Sequence, residues 1–167
     1  MIRTRLMATA MLFNENDLLM MKRSPTRTLN PGMWAAVGGH LEPEELNDPQ
    51  QACLREVFEE TGLRETDITD LRLQYILIRQ NQLEIRQQYI YTAHTLRRDV
   101  LQTEEGTLHW IPREQVLQRD IPFIYHKLLE HYFASGPADH IWVGIAGSKE
   151  RNIPTVHWTI MVDPMKL

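Results

Sequence analysis

The chain is poor in features that would place it outside an ordinary soluble domain. It holds one cysteine, Cys53, in 167 residues. No internal disulfide can form, and a reducing compartment suits such a chain. No apolar run approaches the roughly 18 residues that a membrane helix needs. Met1 to Leu12 carries two arginines and lacks a long apolar run followed by small residues, so it does not read as a signal peptide. Excess positive charge is also missing. Lys and Arg number 18 against 22 Asp and Glu, a formal net charge of −4. That balance argues against a nucleic-acid polymer as partner, because such binding rests on counterion release by clustered cations. There is no internal repeat, low-complexity tract or obvious linker. The expectation is a soluble cytoplasmic protein, with no membrane partner and one domain over residues 1–167.

What is present fits that expectation. Apolar residues make up 43% and charged residues 24%, close enough to globular values to exclude disorder. Arg3 to Phe13 and Leu18 to Lys22 read as two strands joined by the turn cluster Asn14-Glu15-Asn16-Asp17. Ser24 to Gly32 is a loop, and Trp34 to Val37 is a short strand that stops at Gly38-Gly39. A helix follows with clear punctuation. Asp48 is its N-cap, Pro49 its first residue, Gln51 completes a capping-box pattern, and Gly62 stands where a left-handed cap is wanted. Leu54, Val57, Phe58 and Thr61 form its apolar stripe. Strands are expected over Leu71 to Ile78, Leu83 to Thr95 and Leu108 to Ile111, with Arg79 to Gln82 as a connection and Gln102 to Gly106 as an acidic loop. Arg113 to Leu117 and Phe123 to Phe133 read as helices. Ile141 to Ala146 and Thr155 to Val162 read as a C-terminal hairpin at about residues 140–163, with the charged connector 147–154 between them.

The helix carries the chemistry. At 100° per residue, Glu56, Glu59 and Glu60 share a stripe about 100° wide. Three adjacent like charges repel and give an isolated helix nothing. A divalent cation would make the arrangement favourable, since hard cations take carboxylate oxygens together with substrate phosphates. An enzyme acting on a phosphorylated small molecule follows from that reading.

Gly39, Glu45 and the run Arg55-Glu56-Val57-Phe58-Glu59-Glu60-Thr61-Gly62-Leu63 resemble the Nudix box, a motif spanning about 25 residues here. The second half agrees at every specified position. The first half departs once: nine residues separate Glu45 from Arg55, where the motif has seven. The helical register is intact back from Arg55, so the two surplus residues belong to the loop around Glu44 to Asn47. Strict spacing puts Asn47 at the first glutamate, and Glu45 or Glu44 can take its place.

The resemblance implies an α/β/α sandwich of Nudix type around a mixed sheet. It also implies Mg²⁺ or Mn²⁺ held by Glu56, Glu60 and Glu59, with a backbone carbonyl from the glycine turn at Gly38. Arg55 then orients carboxylates. Glu59 is the candidate base, and Glu105 and Glu104 are further candidates on a later loop. By resemblance to MutT-type members, Arg23 meets the phosphates, supplemented by Lys22 and Arg27. Trp34, Phe123 and Tyr125 are candidate base-stacking groups. Gly39, Glu45 and Gly62 complete the motif. Cys53 reads as a buried, inert thiol, and the histidines show no metal-binding pair.

The implied reaction is metal-dependent hydrolysis of a nucleoside diphosphate linked to another moiety. A nucleoside triphosphate cut to the monophosphate and pyrophosphate is preferred, and 8-oxo-dGTP falls within that class. Two alternatives stand beside it: hydrolysis of a nucleotide sugar such as ADP-ribose or of a dinucleotide, and a Nudix-fold binding module that does not cleave. The hairpin with Trp142 and Trp158 is expected to extend the sheet, wall the pocket or form a homodimer contact.

Overall fold

The computed structural model describes residues 1–150 and 152–166. Arg151, in the expected connector, and Leu167 lie outside the described residues. In chain order the strands are β1 (Arg3–Asn14), β2 (Asp17–Arg23), β3 (Trp34–Ala35), β4 (Val37–His40), β5 (Thr69–Asn81), β6 (Glu84–His94), β7 (Gly106–Pro112), β8 (Trp142–Glu150) and β9 (Ile153–Ile160). The helices are α1 (Pro49–Thr61), α2 (Arg113–Val116) and α3 (Phe123–Ser135).

Period-two alternation along the strands builds two cores. On β1, Ala8, Ala10 and Leu12 face one side, together with Leu19 and Met21 of β2 and Tyr91 and Ala93 of β6. Ala52, Cys53 and Val57 of α1 close that side. Met11 and Phe13 of β1, Leu18 and Met20 of β2, and Ile90 of β6 face the other way, under Leu128, Leu129 and Tyr132 of α3. Met11, Leu12, Leu18, Leu19 and Met20 are fully buried, each stabilising the fold by about 1.5–3 kcal/mol before entropy. The result is an α/β/α sandwich around a mixed sheet.

Among the described residues, nine strands form one sheet, ordered β3-β2-β1-β6-β5-β8-β9, with β4 on β1 and β7 on β2. β1 runs parallel to β6 from Arg3↔Glu84 to Phe13↔His94. A parallel pair needs a long crossover, and the segment carrying α1 supplies it. The expected strand Trp34 to Val37 is split at Ala36. β3 pairs with β2, while β4 pairs with β1 through Thr9↔Gly38 and Ala8↔Gly39.

The hairpin extends the sheet. β8 lies parallel to β5, and β9 forms the edge. His131 of α3 holds it from below, stacked on Trp158 at 4.4 Å and hydrogen-bonded through Nδ1 to the Tyr75 hydroxyl at 3.0 Å. A second difference lies in β5, which continues past Ile78 to Asn81. Arg79 is therefore a strand residue, paired with Arg86, and the turn falls at Gln82, whose φ is 52°.

Candidate active site

The caps of α1 form as the sequence dictates. The Asp48 side chain accepts from the Gln51 N–H at 3.1 Å, and Gly62 closes the helix at φ 76° with its N–H donated to the Phe58 carbonyl. The helix is rolled about its axis relative to the expected stripe. Phe58 is 51% exposed, whereas Ala52, Cys53, Val57 and Glu60 are buried. The sheet offers its α1 side small residues, Ala8 and Ala10, and the glycines of β4. Cys53 fits against that surface, and burial raises its thiol pKa to about 12, leaving it inert.

Arg55 organises the acids. Its Nε and Nη2 donate to the two oxygens of Glu45 at 2.7 and 2.9 Å. Nη1 donates to Glu56 at 2.9 Å and Glu59 at 3.1 Å, and Nη2 also donates to the His40 carbonyl at 3.0 Å. The fork geometry of a guanidinium suits this arrangement. It also resolves the irregular half of the motif. Glu45 is buried and takes the bidentate contact, while Glu44 and Asn47 are exposed. The short 3-10 turn Pro43–Glu45 absorbs the longer loop, with the Glu45 carboxylate also accepting from the Glu42 N–H. The Arg55 hydrogen bond holds the Glu45 carboxyl below the usual range.

Glycines let Glu56 and Glu60 reach the sheet. The Gly38 N–H donates to Glu60 at 2.9 Å. Gly38 has φ 146°, and a Cβ there would lie 2.3 Å from the Ala8 carbonyl oxygen. A Cβ on Gly39 would lie 2.4 Å from the Glu56 carboxylate, so that cradle exists only because the residue is glycine.

Glu105 faces the same place from the loop before β7. Burial chiefly pushes the Glu60 carboxyl up to about 8, against the Gly38 hydrogen bond, and Glu105 adds repulsion and a shared hydrogen bond. Burial likewise raises Glu56, opposed by Arg55 and assisted by the charges of Glu59 and Glu105. Arg27 ties the loop down through a 3.2 Å ion pair with Glu105. Glu104 points outward and is exposed.

Glu56 and Glu60, both raised, together with the neighbouring carboxylate of Glu105, are a donor set a divalent cation would relieve. Among the described residues they are not drawn around one point as tightly as a bound ion would draw them, and one oxygen each of Glu56 and Glu59 is turned to Arg55. The remaining oxygens of Glu56, Glu60 and Glu105 fit the requirement.

A cavity of about 500 Å³ opens beside Gly38 on the α3 side of the sheet. Arg23 and Phe123 line it, as does Tyr125. Lys22 and Trp34 do not. Trp34 packs into the second core between two cations, Lys22 at 5.9 Å and Arg119 at 5.2 Å from its ring, with its edge on His109. Its partly buried indole is a packing group in this position. Arg79, Arg86 and Gln88 also line the cavity, and sequence reasoning missed all three. The signal lay in the alternation Leu77, Arg79, Asn81, which continues β5 beyond its apolar part.

Sequence comparison decides the family. The NUDIX domain profile matches residues 3–132. The chain belongs to the Nudix family. The fold of this Nudix hydrolase is shared by a MutT protein from Bacillus halodurans, with TM-score 0.72 and 17% identity over 92% of this chain and 97% of that one. An Ap4A hydrolase from C. elegans gives 0.65 and 19%, over 78% and 96%. The NUDIX domain of Shewanella oneidensis NrtR, solved with ADP ribose, gives 0.67 and 19%, over 81% and 90%. A curated relative, the m7GpppN-mRNA hydrolase NUDT17 of Bos taurus, is 40% identical over 52 residues, which are 30% of this chain and 16% of that protein. No helix among the described residues is long and apolar enough to cross a membrane.

Proposed function

We propose that residues 1–167 act as one Nudix domain that hydrolyses a nucleoside diphosphate linked to another moiety, using Mg²⁺ or Mn²⁺. The convergence of Glu56, Glu60 and Glu105 beside the Gly38–Gly39 strand carries this reading. Glu56 and Glu60 would hold the metal, with Glu59 or Glu105 as a third carboxylate and the Gly38 carbonyl as a further ligand. A bound divalent cation offsets phosphate charge and lowers the pKa of a coordinated water.

The chain's own groups do the rest. Arg55 fixes the rotamers of Glu56 and Glu59 through Nη1 and is itself anchored on Glu45. Whichever of Glu59, at the rim, and Glu105, clamped by Arg27, does not bind the metal would take a proton from the attacking water. Arg23, whose Nε donates to the Leu29 carbonyl, presents its remaining N–H groups toward phosphates at the mouth of the cavity. Phe123 offers an apolar ring for the part of the substrate that enters.

Nucleoside triphosphates, including oxidised purines such as 8-oxo-dGTP, are the first substrates to assay. A second reading is a nucleotide sugar such as ADP-ribose or a dinucleotide, and the arginine-rich cavity favours it, since it can receive a polar moiety beyond the cleaved bridge. We place the enzyme in the cytoplasm, with small nucleotides as its partners, and β9 is the free edge through which a homodimer would form. The test is a panel of triphosphates, nucleotide sugars and dinucleotides, with Mg²⁺ and with chelator. A bound divalent cation supplies several kcal/mol of charge stabilisation, and a displaced or weakened ion forfeits much of it, so Glu56→Gln and Glu60→Gln each lower turnover by about 10²–10³-fold, with folded structure retained. Full activity in either variant, or with chelator, overturns the assignment. No product from any substrate supports a non-cleaving module.

A further inference from the structure

Three arginines line the cavity, Arg23, Arg79 and Arg86, and no aspartate or glutamate does. Arg86 donates to Glu84, which lies outside the cavity and also binds Arg5. Arg79 differs. Among the described residues its guanidinium has no ion pair and no hydrogen-bond partner, and it stands directly opposite Arg86 in the β5–β6 register. Like charges so placed destabilise a strand pair. Burial, then the Arg86 charge, lower the Arg79 pKa, against the pull of Glu84. An anion with several acceptor oxygens would relieve this pair.

The position of the pair matters. On β1, Gly38 is in register with Thr9 and Arg86 with Arg5. Four residues of strand separate those levels, about 13 Å, so an anion at Arg79 is not the phosphate held at the acid cluster. Guanidinium forks match phosphate bidentately, and two forks facing one another can share one phosphate between them.

We propose that Arg79 and Arg86 bind a phosphate carried by the substrate outside the anhydride that is cleaved. This rests on the reading of the acid cluster as the cleavage centre, and it adds a substrate class. The substrate is a diphosphate-bridged compound with a further phosphate monoester on the moiety that enters the cavity.

The binding step is tested without catalysis. Inorganic phosphate is titrated into the protein in chelator and followed by calorimetry and arginine side-chain NMR. Saturable binding that shifts the Arg79 resonance, and that weakens about tenfold or more in Arg79→Gln, supports the site. Equal affinity in the two proteins, or no saturable binding to the unmodified chain, overturns it. Arg79→Lys, which keeps the charge and loses the fork, serves if the glutamine variant does not fold, and an intermediate loss is expected.

Substrate choice is then read from two pairs that differ by one phosphate, coenzyme A against dephospho-coenzyme A and NADPH against NADH. The unmodified enzyme is expected to favour the phosphorylated member of at least one pair in kcat/KM by about tenfold or more, and Arg79→Gln to erase most of that ratio. A ratio unchanged by Arg79→Gln, or no preference in either pair, overturns the substrate class. Loss of all metal-dependent turnover in the unmodified protein alongside intact phosphate binding would instead sink the cleavage reading and leave this site standing.

Discussion

Around α1 a single arginine serves three carboxylates, whereas the cavity across the sheet is lined by three arginines and, among the described residues, by no carboxylate; Glu84, which pairs with Arg86, lies outside it. The two regions share the Gly38 turn and one sheet, yet their charge surpluses are opposite. In the first, Arg55 neutralises Glu45 fully and Glu56 and Glu59 in part, and the excess appears as carboxyls with raised proton affinity. In the second, the excess appears as two guanidinium groups set opposite one another, Arg79 without an ion-pair partner among the described residues. Folding alone favours neither arrangement, because partly buried like charges cost free energy. Each makes sense as half of a complex, the acid side waiting for a cation and the basic side for an anion.

The largest effect expected in the folded protein itself comes from removing the one organiser. Arg55→Ala leaves Glu45 buried and unpaired and frees Glu56 and Glu59. Breaking a fully buried pair costs about 3–5 kcal/mol. Arg55 keeps partial solvent exposure, so the loss should be about 2–3 kcal/mol, read by urea unfolding. Arg55→Lys, which cannot make the fork, should recover only part of it. If Arg55→Ala unfolds at the same denaturant concentration as the unmodified chain, the acid side is not organised as described and the contrast with the cavity dissolves.

A smaller and more selective effect is expected at Gly39. A Cβ there collides with the end of the Glu56 side chain and not with backbone. The carboxylate can swing away, so Gly39→Ala should cost less than about 1 kcal/mol of stability. The displaced ligand should weaken Mn²⁺ binding by about 10–100-fold, measured by calorimetry. Phosphate binding in the cavity should not change, since Gly39 is not among its lining residues. Equal loss at both places would show that the two sites are one.

How far the sequence carried this picture depended on how local each feature is. α1, its caps and the acid stripe are set by residues within one or two turns, and Asp48, Pro49 and Gly62 sit as their chemistry requires. The choice among Glu44, Glu45 and Asn47 was not legible, because it depends on which carboxylate the 3-10 turn delivers to Arg55 across ten residues. The place of Glu105 was open for the same reason, since its loop meets α1 only through the tertiary fold. Arg79 was misread as part of a connection because polar residues at a strand end look like a turn. Only the register with β6 shows that it faces Arg86. Trp34 was legible only as an aromatic suited to stacking or to packing; its place between two cations at the edge of the second core depends on the tertiary fold.

The effect that separates the acids most finely is read by pH rather than by substitution alone. In chelator, Glu45 and Glu60 should drive stability in opposite directions with pH. Glu45 has a folded-state pKa below its unfolded value. Its contribution is present above the ordinary glutamate range and is lost as pH falls through the folded value. Glu60 has a folded-state pKa of about 8, well above its unfolded value near 4.5. Between those limits the native state binds the proton and the unfolded state does not, so stability falls as pH rises from about 5 toward 8. Glu56, also raised, adds to that basic limb. The melting temperature without metal should therefore be highest on the mildly acidic side and decline toward pH 8. Glu60→Gln should flatten the decline while leaving the loss below pH 4.5 intact. A saturating divalent cation should also flatten it, because a ligand that binds the ionised native state adds stability where the proton was lost. A decline that survives Glu60→Gln unchanged would mean that the buried carboxyl is not where the acid side stores its surplus.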